Sequence, residues 1–119
     1  MKDKSNENWI AGQKCLDDGN VNAAASRYYY GVLQAVLGWA RAKKGYDRTQ
    51  KGGVHSKMAE FVRSEGKGRD FYGRKFAELQ SLRETADYQP EPADETDLRS
   101  LLPDCEKMRE YYLKKAEPI

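Results

Sequence analysis

The feature that most constrains the fold is one long uncharged stretch between Arg27 and Arg41. Its 13 residues, Tyr28 to Ala40, are too few to span a bilayer, which needs roughly 20 apolar residues. At about 100° per residue, the large apolar side chains cover an arc of roughly 200°, wider than the stripe of an ordinary surface helix. We therefore expect a central helix that other elements cover on more than one side.

The composition of the 119-residue chain favours further helices over strands. Val, Ile and Thr occur only 5, 2 and 3 times, whereas Ala, Leu, Glu, Lys and Arg occur 12, 9, 10, 12 and 9 times. Helical periodicity predicts five helices: about Ser5 to Asp18, Asn22 to Lys44, Val54 to Glu65, Asp70 to Asp87 or Tyr88, and Asp97 to Lys115. Short connections favour antiparallel neighbours. The predicted fold is all-α, an antiparallel up-and-down bundle of four to five helices in a single domain over residues 1–119.

Local signals set several predicted helix ends. Asp70 is a plausible N-cap of the fourth helix, and Pro90 and Pro92 prevent that helix from continuing. Pro103 falls inside the fifth pattern. There we expect either a kink in one helix, or a first turn that ends at Leu102 followed by a helix whose first residue is Pro103.

The far side of the second helix carries a strip of small residues, Gly31, Ala35 and Gly38. Each glycine inside a helix costs about 1 kcal/mol relative to alanine, so the strip indicates close approach by another helix. That helix belongs either to the same chain or to a second copy. We expect a homodimer, because so short a chain has few helices to cover so wide an arc.

The cysteines and the first residues indicate a cytoplasmic protein. Cys15 and Cys105 lie 90 positions apart and are predicted to be buried, reduced thiols. The first six residues are not followed by the apolar core of a signal peptide. One histidine and two distant cysteines cannot form a closed zinc site, and no phosphate-loop motif is present. No metal or cofactor is expected.

Charge is unevenly distributed along the chain. Residues 41–75 carry eleven Lys and Arg against four Asp and Glu, and residues 76–106 carry two against nine. One interpretation is complementary solvated faces within a bundle or dimer. The other is a basic patch for phosphate or RNA.

Arg83 lies on the apolar face of the fourth predicted helix, between Tyr72 and Phe76 in projection. An unpaired charge in an apolar environment costs several kcal/mol, so this arginine needs a partner. Asp87, four residues on, is the natural one. Either the two form a structural pair that locks the bundle, or Arg83 lines a cleft or dimer groove and meets a phosphate.

His55, the only histidine, lies near the start of the third predicted helix, on its Met58 and Val62 side. A single histidine in such a position is typical of a cap or a satisfied core group. Acid–base chemistry near neutral pH would nevertheless depend on it.

Three stretches resemble segments of HEPN domains. Residues 23–30 (AAASRYYY) are similar to the AAxRxYY segment of their long second helix, and residues 82–88 (LRETADY) resemble the LRxxADY end of a later helix. Between them, residues 53–56 (GVHS) are similar to a THSG-like start of a short helix. The likeness covers nearly the whole chain. It is closest to small stand-alone prokaryotic HEPN proteins, which are often encoded beside a minimal nucleotidyltransferase.

The resemblance implies a helical bundle that dimerises. In nuclease members an Rx4-6H motif from each subunit cleaves RNA without metal. Here Arg83 fills the arginine position, but Tyr88 occupies the histidine position and no histidine follows. RNase activity is therefore not carried over, because a phenol with a pKa near 10 is a poor base at neutral pH. The candidates for any catalysis are Arg83, Asp87, Tyr88 and His55, and those for ligand binding are Arg83, Arg27, Tyr30 and His55.

Three functions remain open from the sequence. The first is a non-catalytic HEPN module that binds a nucleotide, RNA or a nucleotidyltransferase partner, as in a toxin–antitoxin pair. The second is a divergent metal-independent endoribonuclease centred on Arg83. The third is a structural interaction domain. The first two predict that the basic middle region faces Arg83.

Overall fold

The computed structural model describes residues 2–47, 53–65 and 70–118, and within these ranges it contains five helices and no strand. The helices are α1 (Lys2–Asp17), α2 (Val21–Lys43), α3 (Val54–Arg63), α4 (Asp70–Tyr88) and α5 (Glu95–Lys115). The all-α prediction is confirmed, and the observed helix ends lie within three residues of the predicted ones.

α2 is the central helix, as its wide apolar arc predicts. It packs against each of the other four helices. Its buried residues are Ala24, Ala25, Tyr28, Tyr29, Gly31, Val32, Leu33, Ala35, Val36, Leu37, Trp39 and Ala40. Most of the core is therefore arranged around one helix, and a side chain on α2 can contact several elements at once.

α3 is the exception to the alternating helix directions. The four long helices alternate along the chain, but α3 runs parallel to α2. His55, near its start, hydrogen-bonds Tyr29, whereas Phe61, near its end, lies 6.3 Å from Trp39 between ring centroids. The first turn of α3 is therefore held beside the middle of α2, where α4 also packs.

Two of the three small residues in the strip on α2, Gly31 and Ala35, are buried within the chain, whereas Gly38 is partly exposed. A Cβ on Gly31 would lie 3.3 Å from the carbonyl oxygen of Ser5 and from the backbone nitrogen of Trp9, both on α1. The Ser5 hydroxyl also donates to the Gly31 carbonyl oxygen at 2.7 Å. Ala35 is buried as well. The helix that approaches closely at Gly31 is thus α1 of the same chain, the first of the two alternatives, and the homodimer stays a prediction.

α5 differs from prediction at its start and at Pro103. It begins at Glu95, because the Asp94 side chain accepts a hydrogen bond from the Asp97 amide at 3.0 Å and caps the helix. The helix then continues through Pro103, so the predicted restart there is wrong. Proline has no N–H, so Pro103 cannot donate the helical hydrogen bond to the Arg99 carbonyl. Because Pro103 is exposed, water can bind that carbonyl instead. A kink at this position stays a prediction.

Two smaller predictions have mixed outcomes. Asp70 is the first residue of α4 rather than its N-cap, and the residue before it lies outside the described ranges. Both cysteines are free thiols, as expected, but only Cys105 is fully buried. Burial raises the pKa of the Cys105 thiol to about 12, so this cysteine is a core residue without thiolate character at neutral pH.

Candidate functional site

Arg83 is an almost buried charge on α4. Only 9% of its surface is exposed. It lies on the apolar face of α4, beside the buried Phe76 and Leu79. Burying a guanidinium is tolerated only where polar groups replace its water shell. The groups around Arg83 therefore define the site.

Oxygen atoms and aromatic rings from two helices surround the guanidinium. Its Nη2 donates to the Tyr30 hydroxyl at 2.9 Å and to the Tyr88 hydroxyl at 3.3 Å. The Arg83 Cζ lies 5.4 to 5.6 Å from the ring centroids of Tyr29, Tyr30 and Tyr88. Burial opposes the charged form, but the two phenol oxygens and the nearby carboxylate outweigh it and raise the pKa of Arg83. The side chain therefore stays positively charged at every accessible pH.

The other two guanidinium nitrogens differ in their contacts. Nε lies 3.0 Å from Asp87 Oδ2, but the buried Nε–H makes no hydrogen bond of acceptable geometry, so the contact is an ion pair only. Nη1 makes no hydrogen bond within the described residues, and it is not sealed from solvent. Two of the three guanidinium nitrogens are thus held by the protein, and Nη1 keeps some contact with solvent.

His55 reaches the same cluster from α3. Its Nδ1 lies 2.7 Å from the Tyr29 hydroxyl, and the two rings stack with centroids 5.6 Å apart. Tyr30 contacts the imidazole edge to face at 6.1 Å. Burial, reinforced by the positive charge of Arg83, lowers the pKa of His55 below its usual value near 6.5. The imidazole is therefore neutral at neutral pH.

The lowered pKa of His55 predicts a specific pH dependence of stability. Because the fold favours neutral imidazole, its contribution is fully present above the unfolded pKa near 6.5 and is lost as pH falls through that value toward the folded pKa. Wild type should exceed His55→Asn in Tm by the widest margin at about pH 7.5, with the margin shrinking toward about pH 5. Thermal melts followed by circular dichroism measure this. A margin constant over that range would mean that protonation of His55 is not linked to folding.

The structure brings together most of the residues that the sequence identified. We use the name Arg83 cluster for Arg83, Asp87 and Tyr88 on α4, Tyr29 and Tyr30 on α2, and His55 on α3. The i,i+4 pairing of Arg83 with Asp87 is confirmed. Tyr29 was missed as a site residue, since its link to His55 depends on the direction of α3. Arg27 does not join the cluster, because its Nη1 donates to Asn8 of α1 at 3.3 Å.

The charged segments lie at opposite ends of the bundle. We call the end of the bundle where α2 and α5 finish and α4 begins the basic pole. It carries Arg41, Lys43, Lys44, Arg63, Arg74, Lys114 and Lys115. At the other end, the acidic pole, the α4–α5 connection meets the start of α2, and the Ala93 amide donates to Asn22 Oδ1 at 2.8 Å. This pole carries Asp17, Asp18, Glu91, Asp94, Glu95 and Asp97.

The expectation that the basic region faces Arg83 is therefore wrong for these described residues. The Arg83 cluster lies toward the acidic pole, beside Asp87 and Glu84, whereas most described basic residues of the middle region lie about 14–20 Å away along α4 and α2, at the basic pole. Arg48, Lys51, Lys67 and Arg69 lie outside the described ranges.

Within the described ranges, no three His, Cys, Asp or Glu side chains gather in a way that could hold a metal ion. No helix in the same ranges is long and apolar enough to cross a bilayer.

A comparison with protein-family models identifies the family of the chain. The HEPN domain model matches residues 1–116 of the 119-residue chain. The chain belongs to the HEPN family. No curated protein and no solved structure gives a significant match. In this HEPN chain the LRETADY segment ends α4, and its last residue, Tyr88, turns its hydroxyl back to Arg83.

Proposed function

We propose that this HEPN chain binds a nucleotide or single-stranded RNA at the Arg83 cluster and holds it without cleaving it. Arg83 supplies the contact to phosphate, and Tyr88 supplies an aromatic surface for a base. The observation that carries the proposal is the pairing of a nearly buried guanidinium, one nitrogen of which is still open, with a tyrosine that is 69% exposed.

The chemistry of the two side chains fits such a ligand. A guanidinium is permanently charged and donates hydrogen bonds in the planar geometry that phosphate oxygens accept. The surrounding tyrosine rings and hydroxyls fix the orientation of the Arg83 guanidinium in advance, so little side-chain entropy is lost when a ligand binds. A base stacked on an exposed aromatic ring contributes about 1–3 kcal/mol without requiring a particular sequence.

We expect no cleavage because of the groups near Arg83. Tyr88 stands where nuclease members of the family carry histidine, so the imidazole on which their acid–base chemistry depends is missing from this position. His55 is close, but its Nδ1 is shared with the Tyr29 hydroxyl, so only Nε2 remains for proton transfer. Binding is therefore the function that the geometry supports best.

A metal-independent ribonuclease is the second candidate, because the fold does bring a neutral imidazole into the Arg83 cluster. In that case His55 would act as base and Arg83 would stabilise the developing charge on phosphate. RNA cleavage in EDTA by wild type, lost in both folded Arg83→Met and folded His55→Asn, would establish it. No cleavage by wild type would remove this candidate for the RNAs tested.

The purely structural interpretation explains less of the site. A locking pair requires Arg83 and Asp87, but it gives no role to the open Nη1 or to the exposed ring of Tyr88. A homodimer and a minimal nucleotidyltransferase partner, in a toxin–antitoxin setting, belong to this proposal as implications of the family. Light scattering and co-purification test these two associations.

Tyr88 offers a clean test of the binding proposal, because its side chain is mostly exposed and the fold loses only its contacts with Arg83. Tyr88→Ala is expected to cost about 0.5–1.5 kcal/mol of folding free energy and to weaken binding of AMP or oligoadenylate about 5- to 100-fold through the lost stacking. Tyr88→Phe keeps the ring and should stay within about threefold of wild type. Fluorescence titration measures both. Full affinity in Tyr88→Ala would contradict a stacking role.

A further inference from the structure

A second positively charged site lies at the basic pole. A cavity of about 500 Å³ opens between the ends of α2 and α5, lined by Lys43, Lys44, Lys114 and Lys115 together with Glu65 and Glu117. We call it the lysine pocket. None of these residues belongs to the Arg83 cluster.

Two of the lysines are held by the protein and two are not. Lys44 lies over the Trp39 ring at 5.5 Å, and Lys115 Nζ lies 3.5 Å from Glu65 Oε2. Lys43 and Lys114 make no ion pair, hydrogen bond or ring contact with the residues that the structure describes, and both are exposed. Their ammonium groups are available to a ligand.

The fold alone does not account for this concentration of charge. Lysines near a helix end offset its dipole, but each C-terminus carries only about half a negative charge. Two helix C-termini and two glutamates together carry about three negative charges, so the four lysines of the pocket exceed them by about one positive charge. Like charges that converge on one cavity repel, and an anion in the pocket removes that cost.

α3 connects the lysine pocket to the Arg83 cluster. His55 in its first turn belongs to the cluster, and Glu65, two residues past its end, lines the pocket. Along α2, Tyr30 and Lys43 are thirteen residues apart, which at 1.5 Å per residue is about 20 Å. A stacked strand with one phosphate per 3.4 Å covers this length with about six phosphates.

Charge also determines the direction of such a strand. From Arg83 toward the acidic pole, a phosphate chain would meet Asp87, Glu91 and Asp94. Toward the basic pole, α3 carries Lys57, which pairs with Glu60 at 3.8 Å, and the exposed Arg63, and the lysine pocket follows. Only the second direction is electrostatically favourable.

We propose that the lysine pocket binds backbone phosphates of a single-stranded RNA whose other end lies in the Arg83 cluster. The ligand of this HEPN chain is then an oligonucleotide that spans α3, rather than a mononucleotide. This inference rests on the proposed function, since it takes Arg83 as the first contact.

The test compares oligoadenylates of about three and about twelve nucleotides, of which only the longer spans 20 Å. Wild type should bind the longer about tenfold more tightly, and Lys43→Gln/Lys114→Gln should lose that advantage but still bind AMP. The slope of log K against log salt for the longer strand should fall in magnitude by about 1.4, at 0.7 per phosphate contact. Lys14→Gln/Lys107→Gln has the same net charge at exposed positions outside the pocket and should behave as wild type.

Each other outcome overturns a defined part of the account. If the pocket variant keeps the length advantage while Arg83→Met abolishes binding, the lysine pocket is not part of the site and the proposed function stands. If Lys14→Gln/Lys107→Gln lost the affinity advantage of the longer strand equally, the effect would come from net charge and not from the lysine pocket. Inorganic triphosphate that binds equally well to wild type and Arg83→Met, but not to the pocket variant, would indicate a separate phosphate site. If wild type binds neither AMP nor either oligonucleotide, both proposals fail.

Discussion

Replacing Arg83 with methionine is expected to weaken binding of AMP and oligoadenylate by about 100-fold or more. Charge-assisted hydrogen bonds contribute about 1.5–3 kcal/mol each, and 1.4 kcal/mol is a factor of ten. Methionine retains much of the packing of the arginine stem. Asp87 is left unpaired, but its side chain is 30% exposed and water can solvate it. The cost in folding free energy should therefore be about 1–3 kcal/mol, which leaves a folded protein to assay.

Asp87→Asn is the matched control, because it removes the other half of the same ion pair. If the pair only locks the bundle, both variants lower Tm and neither has a specific effect on ligand affinity. If Arg83 binds phosphate, the carboxylate 3.0 Å from its Nε competes with the ligand, so Asp87→Asn should raise affinity several-fold. Isothermal titration calorimetry at matched salt measures both. Parallel losses of affinity would contradict the assignment of Arg83 as the phosphate contact.

The second large effect is expected at Gly31, where α1 and α2 approach most closely. A leucine there would push its Cβ against the Ser5 carbonyl and the Trp9 amide, which lie 3.3 Å away and belong to backbone that cannot move without α1. We expect a loss of about 2–3 kcal/mol and a fall in Tm of more than about 10 °C. Denaturant titration followed by circular dichroism measures the free energy of unfolding.

Gly73→Ala supplies the control for an added Cβ inside a helix. Its Cβ would meet Arg63 Cγ at 3.3 Å, which is part of a flexible side chain. The gain in helix propensity, up to about 1 kcal/mol, should make this variant neutral or more stable. If both variants had the same free energy of unfolding, the close contact between α1 and α2 would not depend on the absence of a side chain at Gly31.

The helices were predictable because helical periodicity is a local property. The wide arc of α2 identified the central helix, and the i,i+4 spacing of Arg83 and Asp87 identified their ion pair. The predicted restart at Pro103 failed for the opposite reason. A proline removes one helical hydrogen bond, but capping by Asp94 and the burial of Leu98, Leu101 and Cys105 outweigh that local cost.

Relations between distant elements were not accessible from the sequence. Small residues on α2 indicate close approach, but only the tertiary structure shows that α1 supplies it at Gly31. The bond between Tyr29 and His55 depends on α3 running parallel to α2. The separation of charge into poles likewise depends on which helix ends meet, so the position of the basic residues relative to Arg83 could not be derived from charge counts.

The most direct test of the central claim, that the Arg83 cluster binds nucleotide phosphate, is an NMR titration of the labelled chain with AMP. The guanidinium Nε–H signal of Arg83 would be assigned with Arg83→Lys and the imidazole signals with His55→Asn. If the Arg83 cluster binds phosphate, the Arg83, Tyr88 and His55 signals should shift saturably at the same AMP concentration. Saturable binding that leaves these signals unmoved, or the absence of any shift, would contradict that claim.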